Sequence, residues 1–126
     1  MNNEKDEDTW TDTTRLTTIV QPVTQPAQTV FMLEQLTGPG APRSFPLENH
    51  NYVIGRGDDA DIQVNSPDLS RKHIALNCLG EECHIQDLES RNGCYLNGVK
   101  IHAATLRNGD TLQLGKILFS FHEGLQ

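Results

Sequence analysis

No apolar run in this chain of 126 residues approaches the roughly 20 residues needed to cross a bilayer. The N-terminus, "MNNEKDEDTW", is acidic and lacks an apolar stretch, which argues against a signal peptide and makes the cytosol the expected compartment. Cysteine is scarce. Cys78, Cys83 and Cys94 are an odd number, which argues against a closed disulfide framework. Positive charge is also in short supply: ten Lys and Arg against seventeen Asp and Glu leave a formal net charge of −7 and a pI near 5.0. A broad electrostatic grip on nucleic acid or an anionic membrane is not expected from such a chain. Nor does an apolar stripe at 3.6-residue spacing mark a helix of useful length.

What the chain does have falls into two parts. Residues 1–28 read as a disordered tail. Glu4, Asp6, Glu7, Asp8 and Asp12 stand against Lys5, a net of −4, and give way to a threonine cluster and then to Pro22, Pro26 and polar spacers. Trp10 is the tail's one large aromatic, either solvent-exposed or an anchor for a partner or for the domain. Residues 29–124 read as one domain. Short apolar runs recur at close spacing, several alternating apolar with polar, as in Ile74-Leu76-Cys78, His84-Ile85-Gln86 and Leu112-Gln113-Leu114. Turn signals such as "GDD", "NSPD", "LGEE" and "SRNG" separate them. This pattern predicts an all-β sandwich or barrel. Its core would draw on Val30, Leu33, Val53, Ile54, Ile62, Val64, Ile74, Leu76, Ile85, Leu96, Leu112, Leu114, Ile117 and Phe119.

Three turns gather the scarce cations. Gly55-Arg56-Gly57, the segment Ser66 to His73 and the segment Asp87 to Gly93 contain Arg56, Arg71, Lys72 and Arg91, while the other six basic residues are scattered. Each of the three also offers a glycine or a small polar residue. A cluster of anionic oxygens needs these groups: guanidinium forks, a hydroxyl and accessible backbone N–H. An acidic chain repels a polyanion, yet a local basic nest can still take one phosphate group.

The order of these motifs carries a family likeness. "YVIGR", "SRKH", "DLESRNGCYLNG" and "LRNGDTLQLG" succeed one another over roughly residues 29–122, and in spacing and order the chain resembles the forkhead-associated (FHA) domain family. The resemblance implies a β-sandwich of about eleven strands that binds phosphothreonine peptides through loops at one end and catalyses nothing. It implies that Arg56 pairs with the phosphate, that Ser70 donates its hydroxyl to a phosphate oxygen, and that Asn92 hydrogen-bonds the peptide backbone. It implies that His73 braces the loops, and that Gly55, Gly93, Asn97 and Gly98 hold turns. Asn97-Gly98 is also a hairpin-turn signal in its own right, because both central residues of a type I′ turn need positive φ. Arg91 stands where many members have threonine; it either adds a second fork to the phosphate or points to solvent. Arg71 is a further candidate for phosphate contact, whereas Lys72 reads as surface charge.

The tail extends this reading. Some small bacterial members of the family carry a double-threonine motif after acidic residues, phosphorylated by a kinase and captured by the domain's own pocket. Asp12-Thr13-Thr14 looks similar, which makes Thr13 and Thr14 candidate phosphorylation sites. The alternatives are a solubilising tail, or a phosphorylated tail that recruits another module.

The first function expected is therefore a non-catalytic phosphothreonine-peptide adaptor acting downstream of a Ser/Thr kinase. Its partner would be a phosphoprotein or its own tail. The rival is a scaffold β-sandwich that binds partners through a sheet face regardless of phosphorylation. An enzyme is the weakest reading, since no nucleophile–base pairing or phosphate-cradling loop leading into a helix is visible. No cofactor or metal is expected. Asp58, Asp59 and Asp61 lack the ligand set of a calcium loop, and Cys78, Cys83 and His84 lack a second pair at zinc-site spacing. The two cysteines read as cross-strand thiols flanking a hairpin turn.

Overall fold

The computed structural model describes residues 29–125. The tail positions discussed above, Trp10, Thr13 and Thr14, lie outside the described residues. Eleven strands are present among those described: β1 (Thr29–Gln35), β2 (Arg43–Leu47), β3 (His50–Gly55), β4 (Ile62–Gln63), β5 (Ile74–Leu79), β6 (Glu82–Asp87), β7 (Cys94–Leu96), β8 (Val99–Ile101), β9 (Ala103–Leu106), β10 (Thr111–Leu114) and β11 (Ile117–Leu125). They form two sheets, one ordered β2-β1-β11-β10-β7-β8 and the other β4-β3-β5-β6-β9. All strand pairs are antiparallel except β3 with β4.

Alternation along the strands builds the core, as the two-residue period of a half-buried strand requires. In β5 the inward residues are Ile74, Leu76 and Cys78, and in β6 they are Cys83 and Ile85. Leu112 and Leu114 turn inward from β10. Phe119 and Phe121 do so from β11, the latter stacked on Phe31 with ring centroids 5.6 Å apart. Each such side chain contributes roughly 1.5–3 kcal/mol on leaving water. Val30 departs from the expected core. Its neighbours Phe31 and Leu33 take the inward positions, so Val30 faces solvent, 42% exposed. Val53 and Leu96 are only partly buried. Leu47, Leu69, Leu106 and all three cysteines join the core instead.

Cys78 and Cys83 stand opposite each other in the β5–β6 register, their Cα atoms 4.1 Å apart, and a disulfide joins them. This corrects the reading of both as free thiols: the two-residue turn at Gly80-Glu81 sets the register that makes them partners. Cys94 remains free and buried.

Register also decides where the loops lie. Ile54 at the end of β3 faces Ile74 at the start of β5, which in turn faces Asp87 at the end of β6. The segments after β3, before β5 and after β6 therefore emerge at one end of the sandwich. Cys94, which follows the last of them, faces Leu114, and Leu114 faces Ile117. The start of β11 and the end of β1 thus lie at this end too, while Thr29, paired with Leu125, lies at the other.

Candidate functional site

Close backbone packing forms the first part of the site. The Arg56 N–H donates to the Ser70 carbonyl at 2.9 Å and the Gly57 N–H to the Arg71 carbonyl at 3.0 Å. Glycine at 55 is what allows this approach, since a Cβ there would stand 2.1 Å from the Arg71 carbonyl oxygen. The Arg56 side chain is then aimed by its own Nε, which donates to the Leu69 carbonyl at 3.0 Å. Among the described residues, its two terminal nitrogens make no hydrogen bond, and the residue lines the recess described below.

His73 is the brace between the second and third loops. The ring is fully buried, 0% exposed. Its Nδ1 accepts the Ser70 N–H at 3.0 Å, so the hydrogen sits on Nε2, which donates to the Gly93 carbonyl at 2.8 Å. The His73 backbone completes the tie: its N–H donates to Ile54 and its carbonyl accepts from Leu88, both at 2.9 Å.

Two more contacts lock the third loop to the second. Ser70 Oγ accepts the Arg91 N–H at 2.9 Å, and Asn92 Nδ2 donates to the Asp68 carbonyl at 2.7 Å. Among the described residues, the hydroxyl hydrogen of Ser70 and the Oδ1 of Asn92 have no hydrogen-bond partner and can serve a ligand. Within the third loop, Ser90 donates to Asp87 Oδ1 at 2.5 Å and accepts the Gly93 N–H at 3.0 Å. Glu89 and Gly93 take left-handed conformations, φ 56° and 82°. Glycine suits the second position; glutamate at the first is a strained choice that nothing in the sequence signalled.

The outcome is a recess of about 500 Å³ lined by Arg56, Pro67, Asp68, Leu69, Ser70, Arg71 and Arg91. Arg91 and Arg71, both left open by the sequence, line the same recess as Arg56 and Ser70. Among the described residues, none of these three guanidinium groups is paired with a carboxylate. Lys72, by contrast, reaches Asp59 at 3.8 Å across the exposed surface. Asn92 opens on a smaller neighbouring recess of about 270 Å³, with Asp68, Tyr95, Gln113, Gly115 and Lys116. Lys100 lies beside the third loop as well, its Cε 3.1 Å from where a Gly93 Cβ would be. Two of the six cations that look scattered in the sequence are therefore brought to the site. Strand pairing did this: Lys100 faces Tyr95 across β7–β8, and Lys116 occupies the β10–β11 turn.

The other expected positions also find places. Asn97 and Gly98 adopt φ 50° and 87° in the β7–β8 hairpin, as a type I′ turn requires. Asn97 additionally bonds Asp110 and the backbone of Thr111 at 2.8–2.9 Å, which fixes the hairpin away from the recess. Asp61 is a strand clamp, its Oδ2 accepting the Val53 N–H at 2.7 Å. His84 points away from the two core cysteines and bonds Thr105 on the outer surface. Beneath the third loop, burial and secondarily Asp87 push the Cys94 thiol up to about 12, so it sits in the core as a neutral group.

Comparison with known proteins agrees with this fold. The model of the FHA domain matches residues 52–115. Across 87 residues, 69% of this chain, it is 36% identical to the glycogen accumulation regulator GarA of Mycolicibacterium smegmatis, of which the match spans 55%. It is 33% identical over the same share of its length to an oxoglutarate dehydrogenase inhibitor of Corynebacterium jeikeium, of which 60% is spanned. In both cases the match covers less than two thirds of the relative. A domain solved in a study of phosphothreonine-dependent FHA domain interactions superposes with a TM-score of 0.68 at 27% identity, over 74% of this chain and 95% of that one. The chain belongs to the FHA domain family.

Proposed function

We propose that this chain is a non-catalytic module that binds phosphothreonine in the loop recess and so serves as a signalling adaptor downstream of a Ser/Thr kinase. One observation carries the reading. Three guanidinium groups without carboxylate partners among the described residues, together with a hydroxyl, converge on one recess in a chain of net charge −7. Arg56 supplies an aimed fork, Ser70 a hydroxyl donor, and Arg71 and Arg91 further charge to a dianionic phosphate. Asn92 Oδ1 accepts a backbone N–H of the ligand peptide. The relatives support a regulatory rather than catalytic role, being a regulator and an inhibitor by name. The phosphothreonine dependence studied in a structural neighbour supports the ligand class.

The ligand is either a partner protein or the chain's own tail. Thr29 lies at the end of the sandwich opposite the recess, so the tail must itself return over roughly 20 Å, the length of β1. Thr14 and Thr29 are fifteen positions apart, a span of up to about 50 Å. Capture of a phosphate on Thr13 or Thr14 within one molecule is therefore within reach, and it gains an effective concentration on the order of mM.

Calorimetric titration with one threonine peptide in phosphorylated and plain forms tests the binding function. The phosphorylated form binds and the plain form does not, and Arg56→Ala weakens binding roughly 10- to 150-fold, the range for charge-assisted hydrogen bonds. Equal binding of both forms would refute the reading.

A further inference from the structure

A cavity larger than the recess lies away from it, a groove of about 800 Å³ on the outer face of the five-stranded sheet. Val53, Ala75, Gln86 and Ala103 form a row across four strands of its floor. Two of these four are alanines, which is why the face is hollow there. The neighbouring row, from Asn51 to Thr105, is made of amide, imidazole and hydroxyl groups, with Glu82 at its edge 3.3 Å from His84. Among all the lining residues the one carboxylate is Asp61, already bonded to the Val53 backbone. Interface cores are depleted of charge in this way.

We propose that this groove is the docking track for the chain's own segment Leu16–Gln28 when the phosphorylated tail is captured. The inference rests on self-capture by the recess and names the path by which it happens. Three observations select this occupant. The first is position. The described chain begins at Thr29, at the end of the sandwich opposite the recess. The groove lies between those ends, on the sheet whose β3, β5 and β6 carry the three loops. The second is length. Climbing one sheet (roughly 20 Å) and rounding the sandwich (roughly 10 Å) needs less than the roughly 50 Å available. The third is charge. The tail's acids lie at residues 4–12, where they would reach the basic recess, whereas Leu16–Gln28 contains no charged residue and carries Ile19, Val20 and Val23. A segment without charged residues thus meets a groove with a single carboxylate among its lining residues, and an acidic one a basic recess.

The test uses the full chain, isotope-labelled, with phosphothreonine incorporated at position 13 or 14. Methyl NOEs are expected from Ile19, Val20 or Val23 to Val53, Ala75 or Ala103, together with amide shifts at Arg56, Ser70 and Arg91. In the double variant Ala75→Glu/Ala103→Glu the NOEs vanish while the recess amides still report capture. A competing phosphothreonine peptide then releases the tail at roughly tenfold lower concentration. Recess shifts with a silent sheet face would overturn the docking track and leave self-capture standing. Silence at both would overturn both. Face shifts that grow with protein concentration would assign the groove to a second copy instead, and also overturn the proposal.

Discussion

The hydroxyl of Ser70 stands 2.9 Å from the backbone nitrogen of Arg91 and accepts its hydrogen. One oxygen thereby ties the second loop to the third and keeps its own hydrogen for a ligand. Ser70→Ala removes both. The expected loss in phosphopeptide affinity is about 1.5–3 kcal/mol, read by calorimetry. Faster hydrogen exchange of the Arg91 amide would show that the tie, and not the donor alone, is gone.

His73 makes four hydrogen bonds, two through its ring and two through its backbone. His73→Ala keeps the backbone pair and leaves the Ser70 N–H and the Gly93 carbonyl without partners in a buried cavity. The chain is expected to lose about 2–4 kcal/mol of stability in urea unfolding. Phosphopeptide affinity should fall as well, because the two loops lose their common strut. A variant as stable as the parent would show that the ring is not the brace.

Two glycines make a paired prediction. At Gly55 an added Cβ would meet the Arg71 carbonyl at 2.1 Å, whereas at Gly124 nothing lies within 4 Å. Gly55→Ala should cost roughly 3 kcal/mol or more, or abolish folding. Gly124→Ala should change stability by no more than about 0.5 kcal/mol. Thermal or urea denaturation of the two variants side by side checks the close approach of β3 to the second loop.

Cys94 links pH to stability. Burial, and after it Asp87, raise its thiol from 9.0 to about 12 in the folded chain. The folded state therefore holds a proton that the unfolded chain releases above about pH 9. The stabilisation is complete below that point and is lost as pH climbs toward 12. Cys94→Ala should flatten the fall in unfolding free energy between pH 9 and pH 11. In the parent, alkylation of this thiol at pH 8 should require unfolding.

Much of this could be read from residue order, for identifiable reasons. The Asn97-Gly98 turn was legible because few residues tolerate two successive positive φ angles. The alternating strands β5, β6 and β10 declared their inward faces. β1 did not: Val30, Phe31, Met32 and Leu33 are all apolar, so nothing local says which pair turns inward, and Val30 was assigned to the wrong side. Arg56, Ser70 and Arg91 could be grouped by motif order, since the loops that carry them follow strands of one sheet. Lys100 and Lys116 could not, because only register across the other sheet brings them near Asn92. The Cys78–Cys83 pairing likewise depends on a turn of two residues, where a turn one residue longer would have separated the thiols.

The central claim is that the three loops form one receptacle for a single phosphothreonine. Amide chemical-shift mapping of the labelled chain, titrated with a phosphothreonine peptide, tests it most directly. The account predicts saturable shifts at one-to-one stoichiometry concentrated on Arg56, Ser70, Arg71, Arg91 and Asn92, absent with the plain peptide. Shifts centred elsewhere, or indifferent to the phosphate, would contradict it.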